Sequence, residues 1–126
     1  MRLNHVTILI SDRLKSAQFY SEVLGLKVIK KGKSRWIKID NQYLHLAQDS
    51  GKPIKNSFYH FCIEVKDVVD FAKNLISKGV DVFDLSDDIE KTDINQNLDK
   101  EYRQFFIKDP DGNMIELCDK NNEYFK

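Results

Sequence analysis

Very little in this chain is extreme, and the shortages are the first constraint on what it does. Only two cysteines occur in 126 residues, Cys62 and Cys118. That is too few for a disulfide framework, and they lack the CxxC spacing of a zinc or redox motif, so reduced thiols are expected. As small buried hydrophobes they require no chemistry of their own. Net charge is absent too, with 20 basic residues against 20 acidic ones and no run of Lys and Arg dense enough for a patch. Nothing gathers a phosphate backbone or an anionic bilayer, so neither nucleic acid nor membrane is an expected partner. No stretch approaches the roughly 18 consecutive apolar residues of a membrane helix, and the chain enters a strand-like run at Leu3 without the features of a signal peptide. A cytoplasmic protein is the expectation.

What is present reads as one ordinary domain with a sizeable core. LNHVTILI, Leu3 to Ile10, has the character of a mostly buried strand, and Asp12 stands where a helix N-cap would. Leu14, Ala17, Tyr20 and Leu24 follow at helical spacing until Gly25 supplies a stop. LKVIK, SRWIKI and YLHLAQ are three further strands, with KGK and DNQ as turns. The polar segment 49–57 reads as a linker. Then the order returns: FYHFCIEV is a strand, Asp67 a cap, Val68, Phe71, Ala72 and Leu75 the apolar face of a helix, Gly79 its stop, and VDVF the start of the next strand.

The chain is thus a duplicated unit, expected as module one at 1–48, linker at 49–57 and module two at 58–120. When residue 5 is laid on residue 60, Asp12 falls on Asp67, and Gly25 meets Gly79 after one residue is dropped. YLHL answers MIEL, so His45 takes the place of Glu116. Module two carries an extra polar stretch, Ser86 to Tyr102, that reads as a mobile loop or lid, with Lys91, Lys100 and Arg103 as anion contacts.

The repeat isolates the polar residues that matter. All three histidines, His5, His45 and His60, occupy repeat-equivalent slots, and Glu116 fills the fourth. Strand alternation puts His60 on one face with Phe58, Cys62 and Glu64, and Glu116 with Met114 and Cys118. If the modules pair about a pseudo-two-fold axis, the four converge. A buried carboxylate then loses several kcal/mol unless a cation offsets its desolvation. Three imidazoles and a carboxylate suit Zn, Ni, Mn or Fe better than Ca or Mg. Plainer readings exist for each: His5 as a hydrogen-bonded rim residue, His45 facing solvent, Glu116 paired with Arg103 across the sheet. Four coincidences at equivalent slots weigh toward a shared site. In KDPDGN, Pro110 and Gly112 shape a turn that orients the strand of Glu116.

LNHVTILISD, SAQFYSEVLGLKV and FFIKDPDGNMIELCD resemble signatures of the vicinal oxygen chelate superfamily, which includes glyoxalases, bleomycin resistance proteins, fosfomycin transferases and extradiol dioxygenases. The resemblance implies an α+β fold of two βαβββ modules forming a cupped, glyoxalase-like mixed sheet, and a homodimer. It also implies metal ligation by His5, His60 and Glu116, with His45 in a slot that glyoxalase I fills with glutamate. The expected activity is a glyoxalase-like metal-dependent lyase or isomerase on a small molecule, stabilising an enediolate-type oxyanion, with Glu116 and His45 as the acid–base residues and Thr7 and Arg103 near substrate. A thiol transferase is a rival, since LNHVT also resembles those enzymes, although Phe106 stands where they usually show tyrosine. A dioxygenase is another. A metal-free binder of drug-like or aromatic ligands, with Trp36, Tyr43 and Phe58 as walls, comes from a different class.

Overall fold

The structure, a computed structural model, describes residues 1–49, 58–84, 94–98 and 103–120. All of the expected linker except Asp49, and most of the stretch 86–102, lie outside the described residues. The described chain divides into two compact units, one holding residues 1–49 together with 109–113, the other holding the rest.

The first unit runs β1 (His5–Ile10), α1 (Arg13–Gln18), β2 (Lys27–Lys31), β3 (Ser34–Ile39) and β4 (Gln42–Gln48). Its sheet has the order β1-β4-β3-β2, parallel between β1 and β4 and antiparallel elsewhere. Asp12 is the N-cap of α1, its carboxylate accepting from the backbone N–H of Leu14 and Lys15, which satisfies donors a helix start leaves bare. After Gln18 the helix widens into a π-turn, Phe19–Val23. This turn lets Tyr20 and Leu24 both reach the core with Ala17. Leu14, expected on that apolar face, is 63% exposed: the buried stripe begins at Ser16 and Ala17, nearer the wide turn. Gly25 closes the element at φ 71°, a conformation costly for a residue with a Cβ.

In the second unit the pattern is β5 (His60–Val65), α2 (Val68–Ser77), a short 3₁₀ turn (Ile94–Asn97), β6 (Gln104–Lys108) and β7 (Met114–Asp119). The strand order is β5-β7-β6, again parallel then antiparallel. Asp67 caps α2 through the N–H groups of Val69 and Asp70, with backbone angles nearly those of Asp12, and Gly79 takes φ 82°. Val68, Val69, Ala72 and Leu75 of α2 are buried with Ile63, Phe105, Ile107, Ile115 and Leu117 of the strands. Of the strand expected to start at VDVF, the described residues reach Asp84. Phe83 makes an antiparallel bridge to Phe106, each donating its N–H to the other's carbonyl. Both sheets with their few helices make an α+β fold.

The turn between β6 and β7 belongs to the first unit. Oδ1 of the buried Asp109 accepts from the N–H of Asp111 and Asn113, and Gly112 sits at φ 86°. Outward from that knot, Tyr20 donates its hydroxyl to Asp109, Ser11 donates twice to Asp111, and the Asn113 amide donates to the Leu9 carbonyl. Beyond orienting β7, the turn is fastened to the β1–α1 junction. Burial holds the Asp109 carboxyl above its ordinary value against the lowering pull of these donors, and burial beside Asp109 raises the Tyr20 phenol.

Candidate functional site

Each sheet turns one face to its core and leaves the other for polar side chains. On β5 the alternation buries Ile63 and leaves His60, Cys62 and Glu64 on the opposite face. On β7, Ile115 and Leu117 are fully buried, while Met114, Glu116 and Cys118 share the face of His60. Register does the rest. Cys62 pairs with Glu116 and His60 with Met114, so His60 and Glu116 are diagonal neighbours on adjacent parallel strands. Their side chains meet, with His60 Nε2 at 3.0 Å from Glu116 Oε2. Both are largely withdrawn from solvent, at 19% and 12% exposure.

The other ring nitrogen explains what this contact requires. His60 Nδ1 lies 2.7 Å from the Phe58 carbonyl, which can only accept, so Nδ1 carries hydrogen. A neutral imidazole then presents a lone pair at Nε2 to a carboxylate that also offers only lone pairs. The pair is complete only with a cation between or beside the two atoms, either a proton or a metal ion. Two aromatic rings frame the imidazole edge-on: Phe58 at 5.1 Å and Phe106 at 5.6 Å.

In the first unit the equivalent face carries His5, Thr7, Trp36, Tyr43 and His45. The registers match: His5 lies opposite Tyr43 as His60 lies opposite Met114, and Thr7 opposite His45 as Cys62 lies opposite Glu116. Trp36 pairs with His45 on β3 as Phe106 pairs with Glu116 on β6. Thus His45 and Glu116 are positional counterparts in the folded sheets. The aromatics are counterparts as well, with His5 edge-on to Trp36 at 5.1 Å and 74°, and His60 edge-on to Phe106 at 80°. His45 differs from Glu116 in its contact, stacking on Trp36 at 4.1 Å and 16°. It is half-buried there.

The four expected ligands therefore gather two by two inside the units, His60 with Glu116 and His5 with His45 about Trp36. Among the described residues no group of three or more His, Cys, Asp or Glu is close enough to hold a metal ion. Arg103 takes a partner other than the anticipated one: its guanidinium pairs with Asp119, whose second oxygen accepts from the Val68 N–H at the start of α2. Glu116 meets His60 because Arg103 stands beyond Gln104, off the ladder step of Glu116. The Cys62 thiol donates to the Cys118 sulfur at 3.3 Å, with no disulfide between them. Desolvation, then Cys118, then Glu116 and Glu64 push that thiol above its ordinary range, although Cys62 keeps exposed surface.

One residue of the site, Asn4, escapes sequence reasoning, while Trp36 and Phe106 are named there without being matched to each other. Asn4 lies 2.8 Å through Oδ1 from His5 Nδ1, fixing that ring as the Phe58 carbonyl fixes His60. Nothing marks such a neighbour beyond adjacency. Trp36 and Phe106 had a usable signal as counterparts: WIK, Trp36 to Lys38, answers FIK, Phe106 to Lys108.

Among curated proteins, a virulence protein of Salmonella typhimurium is 23% identical over 124 residues, covering 92% of this chain and 82% of its own length. A glutathione transferase, FosA of Serratia marcescens, is 27% identical over 126 residues, covering 91% and 78%. Solved structures repeat the fold. A glyoxalase family protein of Bacillus anthracis superposes at TM-score 0.74 with 24% identity over 96% of each chain. A fosfomycin resistance protein of Mesorhizobium loti superposes at 0.69 with 17% identity, over 95% of this chain and 92% of that one. The family model described as Glyoxalase/Bleomycin resistance protein/Dioxygenase superfamily matches residues 2–117, and with the duplicated sheets and their paired polar faces this chain belongs to that superfamily.

Proposed function

We propose that this protein is a metal-dependent enzyme acting on a small molecule with two neighbouring oxygens, as a glyoxalase-like lyase or isomerase. The reading includes a homodimer in the cytoplasm. His5, His60 and Glu116 would hold a divalent transition metal, with His45 as fourth ligand or as a base beside it. The observation that carries the reading is the His60–Glu116 contact, where a carbonyl-anchored imidazole and a carboxylate require a cation to complete them. The donor set fits Ni, Zn, Mn or Fe. When bound, such an ion supplies a Lewis acid that stabilises negative charge on substrate oxygen by several kcal/mol.

The remaining chemistry falls to the chain. Glu116 Oε2 is the atom that takes a proton from a carbon next to a carbonyl and returns it to the neighbouring carbon, a role that general bases fill with about 10²–10⁴-fold effect on rate. His60, fixed by the Phe58 carbonyl, aims that oxygen. The exposed Thr7, opposite His45 in register, and the Trp36 ring offer a hydroxyl and an aromatic surface to substrate. A second reading, transfer of a thiol such as glutathione to an activated small molecule, draws on the similarity to the Serratia transferase. Phe106 weighs against it, since the neighbour of Glu116 on β6 has no hydroxyl to donate.

Metal analysis of untagged protein is the test. A stoichiometric transition metal that is lost in His60→Ala and Glu116→Ala, with isomerisation of the hemithioacetal of a 2-oxoaldehyde, supports the first reading. Metal-dependent addition of glutathione to an epoxide instead supports the second. Metal-free protein whose melting does not respond to Ni, Mn or Zn overturns both and leaves a ligand-binding protein.

A further inference from the structure

We infer that Cys62 and Cys118 form a thiol–disulfide exchange site, in which Cys62 accepts a small thiol group from a low-molecular-weight disulfide and Cys118 displaces it to close an internal bond. This inference stands apart from the proposed function, because it uses only the two cysteines and the strands that carry them. The sulfurs are already in van der Waals contact at 3.3 Å, a separation from which one can attack the other. The two differ in access as an attacking and a resolving thiol must: Cys62 is exposed, and Cys118 is 3% exposed. An incoming disulfide therefore meets Cys62 first.

The exchange balances without a further oxidant. Cys62 loses its proton and attacks as the thiolate, a step that its burial and neighbouring carboxylates make slow and alkaline pH favours; a mixed disulfide forms and one small thiol leaves with the proton. Cys118 then attacks Cys62 Sγ, the protein disulfide forms, and the second small thiol leaves with the second proton. Two protein thiols are oxidised and one small disulfide is reduced.

The ladder also predicts how firm the bond is. Cys62 pairs with Glu116 and Cys118 with Glu64, so the cysteines are diagonal across β5 and β7. Neighbouring strands lie about 4.8 Å apart and rise about 3.3 Å per residue, so neighbours offset by two residues stand roughly 8 Å apart, beyond the ~7 Å between Cα atoms that a relaxed disulfide spans. The bond closes with a backbone adjustment and is reducible, the character of a reversible site rather than a structural one.

The test incubates folded protein with oxidised glutathione at mildly alkaline pH, quenches by alkylation and measures intact mass. The expected product has lost the mass of two hydrogens, resists alkylation at both cysteines and reverts with a mild dithiol reductant. Cys118→Ser, or Cys118→Ala should the serine variant not fold, accumulates one glutathione on Cys62. Cys62→Ser stays unmodified. Two results overturn the inference: wild-type protein that stops at the glutathione adduct, or thiols that remain fully alkylatable in the fold while the same treatment oxidises unfolded chain.

Discussion

The hydroxyl of Tyr20 donates to Oδ2 of Asp109 at 3.1 Å, joining two residues that are 89 positions apart. Both groups are buried, so the bond anchors the β6–β7 turn to the first unit at the end of α1. Tyr20→Phe is expected to destabilise the protein by about 1–3 kcal/mol, since a buried carboxylate loses a donor. The pH dependence has a definite sign. Asp109 titrates above its ordinary 3.8, chiefly through burial, so its favourable contribution is complete below that value and is lost as pH rises through the folded value. The Tyr20 hydroxyl pulls the other way. Removing it raises the carboxyl further, and the stability gap between wild type and Tyr20→Phe should widen as pH rises through that window. Urea unfolding at a series of pH values measures the gap; a gap that narrows would refute the assignment.

Glu116→Gln separates shape from charge. A glutamine amide can donate to His60 Nε2 and complete the contact without a cation, so metal-free stability should change by less than about 1 kcal/mol. Metal affinity should fall by more than the roughly 10–100-fold typical of outer partners of a ligand. Calorimetric titration with Zn or Ni on both proteins gives the comparison.

Trp36 is the sole tryptophan, stacked on His45 and edge-on to His5. Its fluorescence is expected to change when Ni or Zn is added, and the change should disappear in His5→Ala or His45→Ala if these imidazoles serve the same site as His60. A response unaltered in both variants would confine metal binding to the second unit.

The two caps should be near-equivalent. Asp12→Ala and Asp67→Ala each remove a carboxylate bonded to two backbone N–H groups, at a cost of about 0.5–2 kcal/mol. Gly25→Ala and Gly79→Ala should each cost about 1 kcal/mol. At both glycines an added Cβ would meet nothing within 4 Å, so the cost is backbone conformation alone. Chemical denaturation of the four variants checks this.

Short-range periodicity was enough to read much of the fold. Asp12 and Asp67 were recognisable as caps, Gly25 and Gly79 as stops, and the faces of β5 and β7 as alternating, because a carboxylate two residues before an N–H or a period of two is a property of neighbouring residues. The duplication was legible for the same reason and made His45 the counterpart of Glu116 within its own sheet, as the registers show. Leu14 misled, since helical spacing does not reveal how far along a helix the core reaches.

The chain by itself determined the repeated units, their caps and which side chains share a polar face, all consequences of local geometry. Tertiary structure alone decided which of those side chains meet. Strand order, register and rotamer bring His60 to Glu116, Cys62 to Cys118, Arg103 to Asp119 and Tyr20 to Asp109. Such choices lie between residues separated by 16 to 89 positions, and only the closing of the sheets and their cores selects one partner over another.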